Sequence, residues 1–317
     1  MKEIGGYLEL DNFISREYYP ELLHLNTARN ALIYLCRARN IRKLWLPYFL
    51  CDSVANACDR EKVSVAFYNI DSVFQPILPD TWTAGDWLYL VNYYGQLTDD
   101  QIRSYKAKYK HVIVDNVQAF FARPISGVDT LYSCRKFFGV PDGAYLATDA
   151  VDIPLQRDVS KDRMKHILGR FEGTSASDYY GDFKENDHSF RDLPLMAMSR
   201  LTQNLLGALE YEKIRTRRNA NWARLHGALN RHNRLQLVAT DGPYMYPFYC
   251  ENGMQIKKKL AAEKIFIPTL WPNVLTLDGC GQEKDYAQNI LPLPVDQRYD
   301  EQDMDRIVSA LCGMLDN

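Results

Sequence analysis

The chain has 317 residues, of which 46% are hydrophobic and 25% charged, and its formal net charge is −2. A chain of this length can bury a large core and is expected to fold as two lobes. The small net charge argues against nucleic acid or an anionic membrane as a partner. No run approaches the roughly 20 apolar residues that a membrane span needs, and the first seven residues lack an apolar signal core.

Cysteine and histidine usage narrows the class further. The seven cysteines lie at irregular spacings without a Cys-x-x-Cys pair, a pattern typical of a reducing compartment rather than of a disulfide framework. The six histidines show neither His-Glu-x-x-His nor clustered spacing, so we expect no metal site. These features predict a soluble cytoplasmic protein.

The first half of the chain alternates apolar strands with helices. After a short irregular arm, Asn26 or Thr27 can cap a helix over 28–39. The further predicted elements are strands over 42–49, 63–68, 111–115, 130–133 and 145–148, an apolar run over 87–95, and helices over 52–60 and 98–109. Strands without polar alternation, separated by helices, predict a mostly parallel sheet covered by helices on both faces.

The second half has a different character. One or two long helices are predicted within 196–230, short strands over 244–249 and 264–268, and a final helix over 300–314. The polar, Tyr- and Asp-rich stretch 173–192 is predicted as a loop that is mobile or crosses to a partner subunit. We therefore expect an α/β fold with a large domain over 1–210, including the arm, and a small C-terminal α+β domain over 211–317.

Two segments of the first half carry the strongest chemical signal. In Val-Ile-Val-Asp-Asn-Val-Gln-Ala (112–119) a buried-looking strand ends at Asp115, and Lys136 stands among aromatic residues beyond the next strand. Many enzymes hold pyridoxal phosphate with an acid and a lysine so placed. The lysine forms an imine, and the carboxylate keeps the pyridine nitrogen protonated so that the ring withdraws electrons.

The ends of neighbouring strands are expected to meet. Because ligands of such sheets bind beyond the carboxyl ends of the strands, we expect Tyr93, Asp115 and Ser133 to converge on one site. Ser133 can donate a hydrogen bond to a phosphate, and the amide of Gln118 can reach the phenolic oxygen of the cofactor. The neighbouring Phe137 and Phe138 would desolvate the lysine amine and favour its nucleophilic form.

Each of these residues also has an ordinary structural explanation. Asp115 could be only a turn cap, most lysines are simply solvated, and Gln118 could lie on the surface. The helix start at Thr27, Ala28 and Arg29 offers N–H groups to a phosphate, although nearly every capped helix does so. One of three residues is expected to cover the ring face of the cofactor, while the others pack in the core: Tyr48, Phe49 and Cys51.

Four segments, in the right order, resemble the DegT/DnrJ/EryC1/StrS family of sugar aminotransferases, which are fold-type I pyridoxal-phosphate enzymes. Val-Asn-Tyr-Tyr-Gly-Gln-Leu-Thr-Asp (91–99) is similar to the family's Tyr-Gly-Gln-x-x-Asp segment. The stretch 112–119 resembles its Asp-x-x-Gln/His-Ala cofactor motif, and 133–144 its Ser…Lys…Gly-Gly stretch. Leu-Pro-Leu-Pro-Val-Asp (291–296) with Asp-Met-Asp-Arg-Ile-Val (303–308) resembles its C-terminal segment and terminal helix.

The resemblance implies a role for each candidate residue. Lys136 would be the Schiff-base lysine and Asp115 the partner of the pyridinium nitrogen. Gln118 would lie near the phenolic oxygen, and Ser133 with the Thr27-Ala28-Arg29 turn would hold the phosphate. The implied protein is a homodimeric aminotransferase whose large domain binds pyridoxal 5′-phosphate. It would transfer an amino group from glutamate or glutamine to a nucleotide-linked keto-sugar.

Several departures from the family pattern keep alternatives open. Thr27-Ala28-Arg29 stands where Ser-Gly-Thr is usual, so Arg29 would supply a charge in place of a hydroxyl. Ser133 lies closer to Lys136 than in the family, no Gly-Tyr-Asn motif occurs between 170 and 200, and the chain is shorter than typical members. The alternatives are a sugar dehydratase using the same cofactor, a degenerate member acting as sensor or assembly protein, and an unrelated α/β protein. The lysine speaks against the dehydratase.

Overall fold

The centre of the protein is an eight-stranded sheet with the order β1-β8-β7-β6-β5-β2-β3-β4. The structure, a computed structural model, describes residue 4 and residues 6–13, 15–173 and 175–315. The strands are β1 (Leu23–Leu25), β2 (Lys43–Pro47), β3 (Ser64–Ile70), β4 (Pro76–Ile77), β5 (Trp87–Val91), β6 (Val112–Asp115), β7 (Asp129–Ser133) and β8 (Ala144–Ala147). Strands β3, β2, β5, β6 and β7 pair in parallel. The pairs β1–β8, β7–β8 and β3–β4 are antiparallel.

Helices flank this sheet and fill the second half of the chain. They are α1 (Ala28–Ala38), α2 (Asp52–Arg60), α3 (Asp99–Tyr109), α4 (Lys165–Glu172), α5 (Tyr180–Ser189), α6 (Arg200–Leu206), α7 (Tyr211–Leu229), α8 (Gly253–Ala262), α9 (Gly281–Asn289) and α10 (Glu301–Leu315). Helix α1 begins where the Thr27 hydroxyl accepts a hydrogen bond from the Asn30 N–H at 3.0 Å, as the predicted cap requires. The mostly parallel α/β fold is confirmed.

A second, smaller sheet pairs β9 (Met245–Tyr249) with β10 (Ile290–Pro294) in antiparallel register. Its core includes Phe248 and Leu293 from the strands, Leu225 from α7 and Leu311 from α10. Other residues from the last third of the chain, including Val274, belong instead to the core of the large sheet. The domain division between residues 210 and 211 stays a prediction. No helix in the described part of the chain is long and apolar enough to cross a membrane.

Two predictions about the second half were wrong. The stretch 173–192 was predicted as a loop, but it contains helix α5, which an ion pair between Lys165 and Asp182 links to α4 at 2.6 Å. Residues 264–268 were predicted as a strand and form none. Ile265 and Ile267 are buried while Phe266 is exposed. This segment therefore has the alternating burial of a strand without its pairing.

Candidate functional site

A cavity of about 510 Å³ lies at the carboxyl ends of β5, β6 and β7, beside the first turn of α1. This volume is within the usual range for small-molecule sites. All the residues expected to hold the cofactor line it: Thr27, Ala28, Arg29, Asp115, Gln118, Ser133 and Lys136. The fold therefore brings the seven candidates to one place, while their individual roles stay predictions.

Asp115 is the last residue of β6, and its side chain is held at both oxygens. Oδ1 accepts a hydrogen bond from the Val117 N–H, and Oδ2 accepts one from the Tyr89 hydroxyl, both at 2.8 Å. Only 6% of the residue is exposed. Burial raises the pKa of Asp115 to about 6, although these two hydrogen bonds and the charge of Lys136 act in the opposite direction. A buried carboxylate facing a cavity is suited to a cationic partner.

Lys136 ends a short 3-10 turn, Cys134–Lys136, directly after β7. The expected desolvation of its amine by neighbouring aromatics was wrong, because Phe137 and Phe138 are buried in an aromatic cluster while Lys136 is exposed. The two buried phenylalanine rings anchor the backbone of the turn, while the Lys136 side chain stays exposed at the cavity. Within the described residues, no hydrogen bond or salt bridge engages its amine. Its charge is close enough to Asp115 to lower the pKa of that carboxyl.

The loop that carries Lys136 is held by a buried arginine of α7. Arg218 is 1% exposed. It donates to the carbonyl of Phe137 at 3.2 Å and to that of Pro243 at 2.9 Å. Its guanidinium lies 4.6 Å from the centroid of the Phe137 ring, and burial lowers its pKa to about 10. Gln297 donates to the same Phe137 carbonyl at 2.9 Å. The position of the lysine therefore depends on the C-terminal third of the chain.

The turn after Lys136 is an anchor rather than a ligand-binding element. Asp142 is fully buried and accepts hydrogen bonds from the Ser199 N–H at 2.9 Å, the Ser199 hydroxyl at 2.7 Å and the Thr202 hydroxyl. Gly143 has φ +112°, and a Cβ at this position would lie 2.9 Å from the Thr202 methyl carbon. Both the backbone conformation and the space therefore require glycine.

The start of α1 offers unsatisfied donors to the cavity. No described residue accepts a hydrogen bond from the backbone N–H of Ala28 or Arg29, as expected for the first turn of a helix. The Arg29 guanidinium donates to the carbonyl of Phe190 at 2.5 Å, while its buried Nε has no partner among the described residues. Burial lowers the pKa of Arg29. These donors, together with the half-buried Ser133, fit an anionic group.

The three candidates for covering a cofactor ring differ in whether they line the cavity. Cys51 lines the cavity. Tyr48 stacks on Phe67 with 5.1 Å between ring centroids, and Phe49 packs edge-on against Trp271 at 4.4 Å. The latter two rings are therefore engaged in packing away from the cavity lining. Cys51 is therefore the member of the trio that remains a candidate for contact with a cofactor ring.

Tyr93 does not join the site, contrary to expectation. Its ring is buried, does not line the cavity, and its hydroxyl donates to the Phe49 carbonyl at 2.7 Å. Tyr93 begins the 3-10 turn that follows β5, and its ring packs in the core of the large sheet. Gln118 does line the cavity, and its Oε1 accepts a hydrogen bond from the Tyr94 N–H at 2.9 Å. That contact orients the amide NH2 group as the free donor.

Sequence reasoning missed a second cavity of about 910 Å³, which meets the first at Arg135, Lys136 and Phe183. Helices α4 and α5 line it. Helix α5 lies in the stretch that was predicted as a loop, and no element was predicted for the segment of α4. Arg135 stacks on Phe190 at 3.9 Å from the ring centroid. The basic residue directly before the lysine was the available sequence signal. The described part of the chain contains no cluster of three or more His, Cys, Asp or Glu residues that could hold a metal ion.

The fold is similar to that of aminotransferases of known structure. A DegT DnrJ EryC1 StrS aminotransferase from Brucella abortus is 14% identical with TM-score 0.64, covering 92% of this chain and 85% of that one. The sugar aminotransferase CalS13 from Micromonospora echinospora is 14% identical with TM-score 0.64, and the match covers 92% of this chain and 87% of CalS13. NtdA from Bacillus subtilis, solved with bound cofactor PMP, is 14% identical with TM-score 0.68, and the match covers 93% of this chain and 73% of NtdA. No family model and no curated protein matches the sequence. The similarity confirms the predicted fold-type I architecture.

Proposed function

We propose that this chain is a pyridoxal-phosphate-dependent aminotransferase in which Lys136 binds the cofactor covalently. The observation that carries the proposal is that one cavity contains a buried carboxylate and an exposed lysine without an ion pair among the described residues, beside the open N-terminus of α1. The fold shared with CalS13, described as a sugar aminotransferase, and with NtdA, solved with bound cofactor PMP, supports this assignment.

The residues present fit the cofactor. The N–H groups of Ala28 and Arg29 would hold the phosphate, together with the Arg29 Nε, which has no partner in the described part of the chain. The carboxylate of Asp115 would pair with the ring nitrogen, and the free amide donor of Gln118 would face the phenolic oxygen. When bound, the cofactor supplies a cationic ring that withdraws electrons from the substrate carbon.

The chain's own groups then perform the proton chemistry. The Lys136 amine has no ion pair among the described residues. Once the amino group of the donor replaces it on the cofactor, its free Nζ would take the proton from the substrate α-carbon and deliver it to the former aldehyde carbon of the cofactor. Asp115 would keep the ring nitrogen protonated by supplying a negative charge in a buried setting. The start of α1 would fix the phosphate and so orient the ring relative to Lys136.

The proposed reaction moves an amino group from glutamate or glutamine to a keto-sugar, which we take to be nucleotide-linked. Of the compared proteins, CalS13 is described as a sugar aminotransferase, which supports a sugar acceptor. A homodimer, a cytoplasmic location and a cofactor-binding domain over 1–210 belong to the same proposal. A panel of keto-sugars with and without a nucleotide would decide the acceptor class.

Borohydride reduction of the protein after incubation with pyridoxal phosphate tests the central assignment. We expect mass spectrometry to find the reduced cofactor on Lys136, and Lys136→Ala to lose both this label and transamination. Lys161→Ala, which removes another exposed lysine, is the matched control and should retain both. Label on a different lysine, or a Lys136→Ala protein that still transaminates, would overturn the assignment. A wild-type protein without label would favour the sensor or assembly alternative.

A further inference from the structure

We propose that Tyr89 is a positioning residue that holds the Asp115 carboxylate ionised and oriented toward the cofactor's ring nitrogen. Tyr89 lies in β5, is 2% exposed, and its hydroxyl donates to Asp115 Oδ2 at 2.8 Å. The part of this inference that concerns the ring nitrogen rests on the proposed function. The part that concerns the carboxylate itself does not.

The carboxylate is clamped from two elements. The Val117 N–H, on the segment that follows β6, occupies one lone pair of Oδ1, and Tyr89 reaches Oδ2 from the neighbouring strand. Each carboxylate oxygen retains a further acceptor position. Because Tyr89 and Asp115 both line the cavity, the remaining positions can serve a cationic donor placed there.

Tyr89 is itself held in place. Its backbone carbonyl accepts a hydrogen bond from the Tyr68 hydroxyl at 2.7 Å, and its strand is in parallel register with β6. A donor fixed in this way does not have to reorganise when the charge on Asp115 changes. This rigidity distinguishes a positioning contact from a hydroxyl that happens to find an acceptor.

The groups around Asp115 show which effect the Tyr89 hydrogen bond has on the ionisation of this carboxyl. The titratable groups that interact with Asp115 are Tyr89, Tyr68, Tyr93 and Lys136. Burial raises the pKa of all three tyrosines, so their hydroxyls stay neutral donors. Desolvation favours the protonated carboxyl, whereas a hydroxyl that donates to the carboxylate favours the ionised form. Tyr89 therefore opposes the effect of burial.

The test compares Tyr89→Phe with Tyr211→Phe. Each variant removes one buried tyrosine hydroxyl, but the Tyr211 hydroxyl donates to the Leu206 carbonyl and only the Tyr89 hydroxyl contacts the carboxylate. In cofactor-free protein with ¹³C-labelled aspartate, we expect the Asp115 carboxyl of Tyr89→Phe to titrate about one pH unit higher than in the wild type. Tyr211→Phe should leave the titration midpoint unchanged. An unchanged midpoint in a folded Tyr89→Phe protein would overturn the inference.

The affinity for pyridoxal phosphate gives a second readout. With a midpoint one pH unit higher, the ionised fraction of Asp115 falls about fivefold at pH 6 but hardly changes at pH 8. The ratio of variant to wild-type affinity should follow this dependence, because the cofactor's own ionisation cancels in the ratio. A loss of affinity that is equal at both pH values would show a merely structural role and contradict the proposal.

Two further outcomes have to be distinguished: a wild type that binds no cofactor, and a Tyr89→Phe variant that does not fold. If the wild type binds no pyridoxal phosphate, the proposed function fails, while the carboxyl titration still decides the role of Tyr89. If Tyr89→Phe does not fold, a fluorotyrosine at position 89 provides the test, since its more acidic hydroxyl is a stronger donor. We expect this replacement to lower the titration midpoint of Asp115, and an unchanged or raised midpoint would refute the inference.

Discussion

Replacing Asp115 by asparagine should stabilise the cofactor-free protein at high pH while it removes the proposed activity. Burial raises the pKa of this carboxyl from the ordinary value of 3.8 to about 6. The folded state therefore binds the proton more tightly than the unfolded state. The resulting stabilisation is complete below about pH 4 and is lost as the pH rises through 6.

The size of this effect follows from the two pKa values. They differ by about two pH units, and each unit corresponds to about 1.4 kcal/mol, so wild-type stability loses about 3 kcal/mol from this group between pH 4 and pH 8. The uncharged amide of the variant would carry no such loss. At pH 4 the asparagine should cost about 1 kcal/mol, because its NH2 group faces one of the two hydrogen-bond donors. We therefore expect Asp115→Asn to be about 2 kcal/mol more stable than the wild type at pH 8.

Urea unfolding of both cofactor-free proteins at several pH values between 4 and 8 measures this difference, and contributions from all other groups cancel in it. The exposed Asp80 gives a control, since Asp80→Asn removes a carboxylate without touching a buried one and should leave unfolding nearly unchanged. A stability difference between Asp115→Asn and the wild type that does not vary with pH would refute the reasoning. So would a variant less stable than the wild type at pH 8.

Two further substitutions test the frame of the site. Thr27→Val removes the hydroxyl that caps α1 and should cost about 1 kcal/mol of unfolding free energy, whereas Thr27→Ser should retain it. Equal urea midpoints for the valine and serine variants would contradict the capping role. Gly143→Ala places a Cβ at φ +112° and 2.9 Å from Thr202, so it should destabilise the protein by more than about 1 kcal/mol. A Gly143→Ala melting temperature equal to that of the wild type would show that the turn tolerates a side chain.

Most of the first half could be predicted because its signals are local. Helix α2 was predicted with the observed bounds, and α1 and β6 were each predicted to within one residue at either end. Caps and apolar runs specify such elements within a few residues of sequence. The second half depends on packing between distant segments. The alternating pattern of 264–268 arises from one-sided burial, and α5 is polar enough to resemble a loop.

The candidate site shows the same division. Asp115 and Lys136 could be found because strand ends and family-like motifs mark them in the sequence. Tyr89 and Arg218 could not, because each acts through a contact with a residue far along the chain, at separations of 26 and 81 residues. The exposure of Lys136 was also missed, since neighbours in sequence point to opposite sides of a tight turn.

The contact between Arg218 and the loop of Lys136, 81 residues earlier in the chain, has a consequence for the order in which the site forms during synthesis. The carbonyl of Phe137, one residue after the lysine, is bound by Arg218 and Gln297, both of which are synthesised long after the loop they hold. A nascent chain that has emerged only as far as α6 carries Lys136 without the groups that fix its loop. If Lys136 binds the cofactor as proposed, the loop can hold it in the productive orientation only after α7 and the segment with Gln297 have been synthesised.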